Sequence, residues 1–249
     1  MPLPPVPDSR RHRGPHPKDA ECFSEEAAPK LRSAVAELSW MLSRGYSKRA
    51  ALQLVGDRHA LRDRQRKAVQ RCAASDQSCL ERRRIEVDEE SLDGEALLVD
   101  GYNVLLTVEA ALSGGVILVG RDGSLRDIAA MSLHYRRVEA TRSALQLIAD
   151  FCSERGCSEV IWHLDRPISN SGRLKTTMDD LAASNQWPWR VELVRDPDRT
   201  LAASSHIVST SDSGILEHCR RWFNLTRHVV ETSIPDAWLL DLSAGIRSG

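Results

Sequence analysis

The apolar run Ala96-Leu97-Leu98-Val99, which leads into Asp100 and Gly101, constrains the fold more than any other segment. A run this short and this apolar predicts a buried strand at 96–100. Ligands of open α/β sheets bind beyond the carboxyl ends of the strands, so the Asp that ends this run is a candidate functional residue. Three later strand-like segments are also followed by acidic residues, at Asp165, Asp198 and Asp212.

Beyond residue 95 the sequence alternates between strand and helix patterns. This alternation predicts an α/β fold with a mostly parallel sheet and right-handed crossover connections. The Asp122-Gly123 pair predicts a hairpin turn in an insertion after the first strand. The strands are expected at 96–100, 159–165, 190–194, 206–210 and 227–231. The helices are expected at about 135–155, 174–184 and 213–222.

The first third of the chain has a different composition. We expect a disordered, Pro-rich tail over 1–25, a basic helical module over 27–80, a charged linker over 81–94 and an α/β domain over 95–249. Within the module, apolar spacing predicts a helix over 31–42. Ser47 is a suitable N-cap for a second helix over 48–55, which Gly56-Asp57 should end, and a third, arginine-dense helix follows at about 62–75.

Charge is unevenly distributed between these regions. Residues 44–84 contain twelve Lys and Arg against four Asp and Glu, whereas residues 91–249 contain sixteen against twenty-one. A basic segment before an acidic domain is compatible with one part that holds nucleic acid and another that holds metal. A solvated pair of basic helices explains the same pattern. A helix-turn-helix that reads DNA is less favoured than a scaffold or RNA-backbone role.

The acidic residues suggest a metal site. Mg²⁺ and Mn²⁺ prefer oxygen ligands, and a hydrolytic site uses such a metal to polarise a phosphoryl oxygen and to activate water. We therefore expect Asp100, Asp165, Asp198 and Asp212 to be both metal ligands and catalytic residues. Turns and helix N-caps are the ordinary alternative for each of them. Asp196 competes with Asp198 for one role.

Further polar residues are candidates for orienting the carboxylates or for contacting nucleic acid. Asn103 and Ser211 would orient carboxylates and water. The loop after Asp165 offers amide, hydroxyl and guanidinium groups that suit phosphate, although a plain surface loop would have the same composition. The expected nucleic-acid contacts are Arg166, Ser169, Asn170 and Arg173 in this loop, and Arg62, Arg66 and Lys67 in the third helix.

Several classes of protein are disfavoured. The six cysteines contain no C-x-x-C pair, and no His cluster completes a zinc pattern, so reduced thiols in a cytoplasmic protein are expected. No apolar run approaches the roughly 20 residues of a membrane-spanning helix. The N-terminus lacks the apolar core of a secretory signal. We expect no membrane partner, and the oligomeric state is left open.

The ordered motifs resemble the PIN-like nuclease superfamily, in particular its NYN branch. The resemblance is carried by Val99-Asp100-Gly101-Tyr102-Asn103, by Asp165, by Asp198 before a short helix, and by Thr210-Ser211-Asp212. It covers about 95–235 and implies a Rossmann-like three-layer sandwich with strand order 3-2-1-4-5. It also implies Mg²⁺- or Mn²⁺-dependent cleavage of phosphodiesters, usually in RNA.

The whole chain also resembles an uncharacterised prokaryotic family that joins a helical N-terminal module to a PIN-like domain. Arg44-Gly45-Tyr46, Leu54-Val55-Gly56 and the loop 169–173 carry that likeness. The segment 104–127 is longer than a minimal domain of this type would have.

Two functions from different classes follow. The first is an endoribonuclease, with RNA a more favoured substrate than DNA. The second is a non-catalytic RNA-binding or protein-interaction module on the same fold, since a fold does not determine a function. Convergence of the acidic residues in one pocket would favour the first.

Overall fold

The computed structural model describes residues 14–128 and 140–243, and five helices begin the described chain. They are α1 (Asp19–Cys22), α2 (Ala28–Leu42), α3 (Lys48–Arg58), α4 (Asp63–Cys72) and α5 (Asp76–Ile85). A 3₁₀ helix over Glu89–Leu92 leads into the α/β part.

The α/β part alternates strands and helices, as the sequence predicts. Its elements are β1 (Ala96–Asp100), α6 (Gly101–Leu112), β2 (Ile117–Val119), β3 (Leu125–Arg126), α7 (Ala140–Glu154), β4 (Glu159–Asp165), α8 (Ser171–Asn185), β5 (Trp189–Val194), α9 (Pro197–Ala202), β6 (Ile207–Ser209), α10 (Ser213–Leu216), α11 (Leu225–Ser233) and β7 (Leu239–Asp241).

The central sheet has four parallel strands in the order β5-β4-β1-β6. Helices flank this sheet, so the predicted α/β class and the Rossmann-like layered arrangement are confirmed. Numbered along the chain, the order is 3-2-1-4, which agrees with the first four positions of the order that the resemblance implies. Because all four strands are parallel, their carboxyl ends lie along one edge.

The expected fifth strand at 227–231 is wrong. These residues belong to α11, where Leu225, Val229 and Val230 are buried at helical spacing. A short apolar pair such as Val229-Val230 fits a strand or a helix equally well, and only the packing decides between them.

The inserted segment forms a second, smaller sheet. β2 and β3 pair antiparallel, as the Asp-Gly turn predicts, and β7 joins β2 in parallel to give the order β3-β2-β7. Gly123 in the turn has φ +78°, a conformation that favours glycine.

The small sheet packs on the helical module, which alters the expected domain organisation. Val116, Leu118 and Leu240 share a buried core with Leu31 and Leu38 of α2. The helical module is therefore not a separate body joined to the α/β part by a linker alone.

Three expectations for the N-terminal third need correction. The tail expected to be disordered over 1–25 contains α1, followed by the buried Phe23, while residues 1–13 lie outside the described part. Gly56 does not end the second helix, because α3 continues to Arg58. Gly56 itself lies against the guanidinium of Arg66. The expected linker is partly helical, since α5 extends to Ile85.

One helix in the α/β part also differs from expectation. The one expected over 213–222 ends at Leu216. The chain then becomes extended, and the buried indole Nε1 of Trp222 donates to the Thr210 carbonyl over 2.9 Å. The helix expected from 135 begins at Ala140 in the described chain, and residues 135–139 lie outside it. Along the described stretches, no helix has both the length and the apolar character needed to cross a membrane.

Candidate carboxylate site

Asp100 stands at the junction between β1 and α6, with its side chain buried. The hydroxyl of Thr210, from the loop after β6, donates to Asp100 Oδ2 over 2.7 Å. The next residue must be small, because a Cβ on Gly101 would lie 2.5 Å from Leu164 Cδ2 and 2.8 Å from the His163 carbonyl oxygen. Glycine thus lets the turn after Asp100 pack closely against β4.

The four predicted acidic residues line one cavity of about 380 Å³ at the carboxyl edge of the central sheet. Asp165 ends β4, Asp198 lies in the first turn of α9, and Asp212 is the N-cap of α10. The parallel strand order brings these ends together, as expected for ligand sites of open α/β sheets.

The structure separates Asp198 from Asp196. The side chain of Asp196 accepts a hydrogen bond from the Arg199 amide over 3.2 Å and caps α9. Asp198 lies two residues further on and lines the cavity. Asp212 also acts as a cap, since its Oδ1 accepts from the Gly214 amide over 2.7 Å. Its capping role and its place on the cavity wall are compatible.

The electrostatics of the cavity are those of crowded carboxylates. Burial, with smaller contributions from the nearby Asp212, Asp198 and Asp165, raises the pKa of Asp100 to about 7 against the opposing effect of the Thr210 hydrogen bond. Burial and neighbouring acids also raise the pKa of Asp165 and of Asp198. Such a site favours uptake of a proton or a cation.

The acidic residues are gathered in one cavity without forming a ready-made metal cage. Within 14–128 and 140–243, no three His, Cys, Asp or Glu side chains form a group that could hold a metal ion. Mg²⁺ commonly binds through one or two carboxylates and completes its shell with waters and substrate phosphates. The donor set of the cavity suits that mode of binding.

Asn103 and Ser211, which were expected to orient the site, contact each other. Asn103 Oδ1 accepts from both the amide and the hydroxyl of Ser211, each over 2.8 Å. This pair ties the first turn of α6 to the loop after β6. It therefore holds the segments that carry Asp100 and Asp212 in a fixed relation.

Thr210 is a functional candidate that the sequence did not single out. Besides donating to Asp100, its Oγ1 accepts from the Asp212 amide over 3.0 Å. It therefore links two of the four acidic residues. Its position directly before Ser211 and Asp212 was the only signal in the sequence.

Cationic side chains from outside the central sheet also line the cavity. They are Lys48 at the start of α3, Arg71 in α4 and Arg126 in β3. Arg126 lies in a buried cluster with Asp122 and Arg82, in which Arg126 Nη2 is 2.7 Å from Asp122 Oδ2. These residues were not expected at the site, because tertiary packing alone brings the helical module and the hairpin there.

The residues expected to contact nucleic acid lie elsewhere. None of the seven is among the described residues that line the cavity. Arg62 is paired with Glu21, and Arg66 is paired with Asp57 over 2.7 Å. Three of the four in the loop after β4 are exposed: Arg166, Asn170 and Arg173. Contact between these residues and RNA remains a prediction.

Comparison with known proteins adds family membership but no activity. The family model described as "Domain of unknown function (DUF5616)" matches residues 89–228, and the one described as "Protein of unknown function (DUF434)" matches residues 30–84. "Uncharacterized protein MJ0935" of Methanocaldococcus jannaschii is 26% identical over 187 residues, which cover 75% of this chain and 89% of that protein. No solved structure gives a significant match.

Proposed function

The chain belongs to the DUF5616 family, whose description names no activity, and we propose that it is a metal-dependent phosphodiesterase, specifically an endoribonuclease. The observation that carries this proposal is the shared cavity of Asp100, Asp165, Asp198 and Asp212. The resemblance of the ordered motifs that contain these four residues to PIN-like nucleases also supports it, and is the reason for favouring RNA over DNA.

The raised pKa of Asp100 argues for a cation in the cavity. A buried carboxylate among other carboxylates is unfavourable unless it is protonated or neutralised. Helix caps or turns alone would not require Asp100 to be buried beside three further acidic side chains. A divalent cation would remove this cost, and its binding would be accompanied by loss of the proton.

Asp100 and Asp212 would hold Mg²⁺ or Mn²⁺, and Asp165 and Asp198 would accept hydrogen bonds from waters bound to the metal. The bound metal would polarise a phosphoryl oxygen and make water a better nucleophile. The Thr210 hydroxyl keeps Asp100 oriented, and the contact between Asn103 and Ser211 keeps the two loops together. The cations that line the cavity, Lys48, Arg71 and Arg126, favour entry of an anionic phosphate.

An RNA cleavage assay with carboxylate variants tests the proposal. Single-stranded and structured oligoribonucleotides are incubated with Mn²⁺, with Mg²⁺ or with a chelator, and single-stranded DNA serves for comparison. We expect metal-dependent internal cleavage of RNA, and a loss of about 100-fold or more in the Asp100→Asn/Asp212→Asn double variant.

The matched control is the double variant Asp179→Asn/Asp180→Asn. These two residues lie on α8, outside the cavity lining, and the substitution removes the same amount of charge. It should cleave RNA at the wild-type rate. Equal product from wild type and the Asp100/Asp212 variant would show that the cavity does not perform the reaction.

Non-catalytic RNA binding on the same fold is the second candidate. It is favoured by the lack of a group of three metal-ligand side chains in the described chain. Salt-dependent binding of RNA, unaffected by metal and without cleavage, would identify this function.

A further inference from the structure

Lys48 of the helical module lies at the same cavity as the acidic residues. It is the first residue of α3, and its backbone position is set by Ser47, whose side chain accepts a hydrogen bond from the Ala50 amide over 3.3 Å. Two further residues of the module, Gln70 and Arg71 of α4, line the cavity as well. One wall of the cavity therefore comes from the module.

The three cations that line the cavity, Lys48, Arg71 and Arg126, differ in whether they already pair with protein groups. Arg71 Nη1 is 2.8 Å from Asp127 Oδ1. Arg126 is held by Asp122, and its Nε donates to the Ser211 carbonyl over 3.1 Å. By contrast, the Lys48 ammonium makes no hydrogen bond or ion pair with any residue of the described segments 14–128 and 140–243. Of the three cations, Lys48 is therefore the one whose N–H groups are available to donate hydrogen bonds to a ligand.

The charges around Lys48 show that its ammonium belongs to the electrostatics of the site. Burial and the neighbouring Arg126 lower the pKa of Lys48, while Asp212 and Glu217 act in the opposite direction. The Lys48 ammonium therefore interacts electrostatically with both the carboxylate of Asp212 and the guanidinium of Arg126. A phosphate between them would meet a cation that forms no ion pair with any carboxylate of the segments 14–128 and 140–243.

We propose that Lys48 binds a backbone phosphate of the RNA inside the carboxylate cavity, so that the helical module forms part of the substrate site. This inference rests on the proposed function for the identity of the ligand. An ammonium group with three donors is a well-suited phosphate ligand. The segments matched by the two family models, 30–84 and 89–228, then meet at the substrate.

The test compares three single variants of the full chain. Lys48→Met removes the charge and keeps the length, Lys48→Arg keeps the charge, and Lys30→Met is the matched control. Lys30 is an exposed lysine of α2 that does not line the cavity. Thermal unfolding of each variant confirms that it is folded, which is expected because the Lys48 residue stays accessible to solvent although the cavity partly encloses its ammonium.

Binding of a single-stranded oligoribonucleotide is measured with Ca²⁺ at several salt concentrations, and cleavage is measured separately with Mn²⁺. Lys48→Met should weaken binding about 10-fold, as expected for loss of one charged hydrogen bond. It should also reduce the slope of log affinity against log salt by about 0.7, the value for one contact with a single strand. It should raise KM more than it lowers kcat. Lys48→Arg should retain most of the affinity, and Lys30→Met should match wild type.

The outcomes separate this inference from the proposed function. If wild type cleaves RNA and Lys48→Met binds and cleaves like wild type, the role of Lys48 is wrong and the nuclease stands. If wild type binds RNA without cleaving it and Lys48→Met shows the expected loss, the phosphate contact stands and hydrolysis is wrong. Absence of RNA binding by wild type overturns the inference.

Discussion

At the residue scale, Asp100 shows how position changes the chemistry of an ordinary side chain. An exposed Asp before Gly would be a turn residue. Here the carboxyl is buried at the end of β1, accepts from Thr210 and lies near three other acidic residues. Burial and like charge both favour its neutral form, so it is unfavourable to ionise and well placed to take up a cation.

This predicts an unusual pH dependence of stability. The folded carboxyl of Asp100, with a pKa of about 7, holds its proton more tightly than the unfolded one, with a pKa of 3.8. Without metal, the free energy of unfolding therefore falls as pH rises from about 4 to 7, and the cost is fully present above 7. Asp100→Asn should unfold at higher urea concentration than wild type at about pH 8. The gain in free energy of unfolding is at most ~1.4 kcal/mol for each unit by which the folded pKa exceeds the unfolded one.

The gain should shrink as pH falls towards 4, because the folded carboxyl is then protonated, and it should vanish below the unfolded pKa of 3.8, where both forms are protonated. Asp179→Asn, on the half-buried surface of α8 and outside the cavity lining, serves as the control and should follow wild type at each pH. If the difference in free energy of unfolding between Asp100→Asn and wild type does not change with pH, ionisation of the buried Asp100 carboxyl does not destabilise the fold.

At the element scale, the hairpin of β2 and β3 is joined to α5 and to the site by buried charges. The Asp122 carboxylate contacts both Arg82 and Arg126, and all three side chains are almost completely buried. Burial alone would raise the pKa of Asp122, but the two guanidinium groups outweigh it and hold that pKa well below its usual range. Arg126 in turn contacts the loop that carries Ser211.

Asp122→Asn should therefore be strongly destabilising. It keeps the volume of the side chain but leaves two guanidinium groups buried without a counter-charge, which typically costs ~3–5 kcal/mol. The half-buried pair of Lys175 and Asp179 at the surface, 2.8 Å apart, offers the matched comparison, and Asp179→Asn should cost less than ~1 kcal/mol. Urea unfolding of the two variants measures both. Similar costs would mean that the buried cluster does not hold the hairpin.

At the scale of the whole molecule, the helical module and the α/β part share structure in two places. Leu118 of β2 is fully buried in one core with residues of α2. The cavity takes its acidic residues from the central sheet and its cations from the module and the hairpin. Unfolding of one part should therefore affect the other.

We expect a single cooperative thermal transition for the full chain. Leu118→Ala should lower the free energy of unfolding by ~2–5 kcal/mol, because it opens a cavity in the shared core, and it should shift the whole transition. Leu54→Ala, at a residue that is 60% exposed, should have little effect. Calorimetry makes the measurement. Two separate thermal transitions, of which Leu118→Ala shifts only one, would show that the helical module and the α/β part unfold independently.

Local patterns predicted much of the fold. The strand limits at 96–100 and 159–165 agree with the structure, because short apolar runs bounded by turn residues are strong local signals. The segment 227–231 was wrong, since Val229 and Val230 fit either structure until packing is known. Arg62, Arg66 and Lys67 of the third helix, chosen for charge alone, do not line the cavity in the described structure, whereas Arg71 of the same helix does.

The sequence by itself determined the class of fold and the four acidic residues at the strand ends, because apolar period, turn chemistry and strand-end position act over a few residues. Only the tertiary structure decided that Asp198 rather than Asp196 lines the cavity, that Thr210 links Asp100 to Asp212, and that Lys48 reaches the site. Thr210 and Asp100 are 110 positions apart in the sequence, and Lys48 and Asp212, which line the same cavity, are 164 apart. Such contacts depend on how the helical module and hairpin dock on the sheet, which no local pattern records.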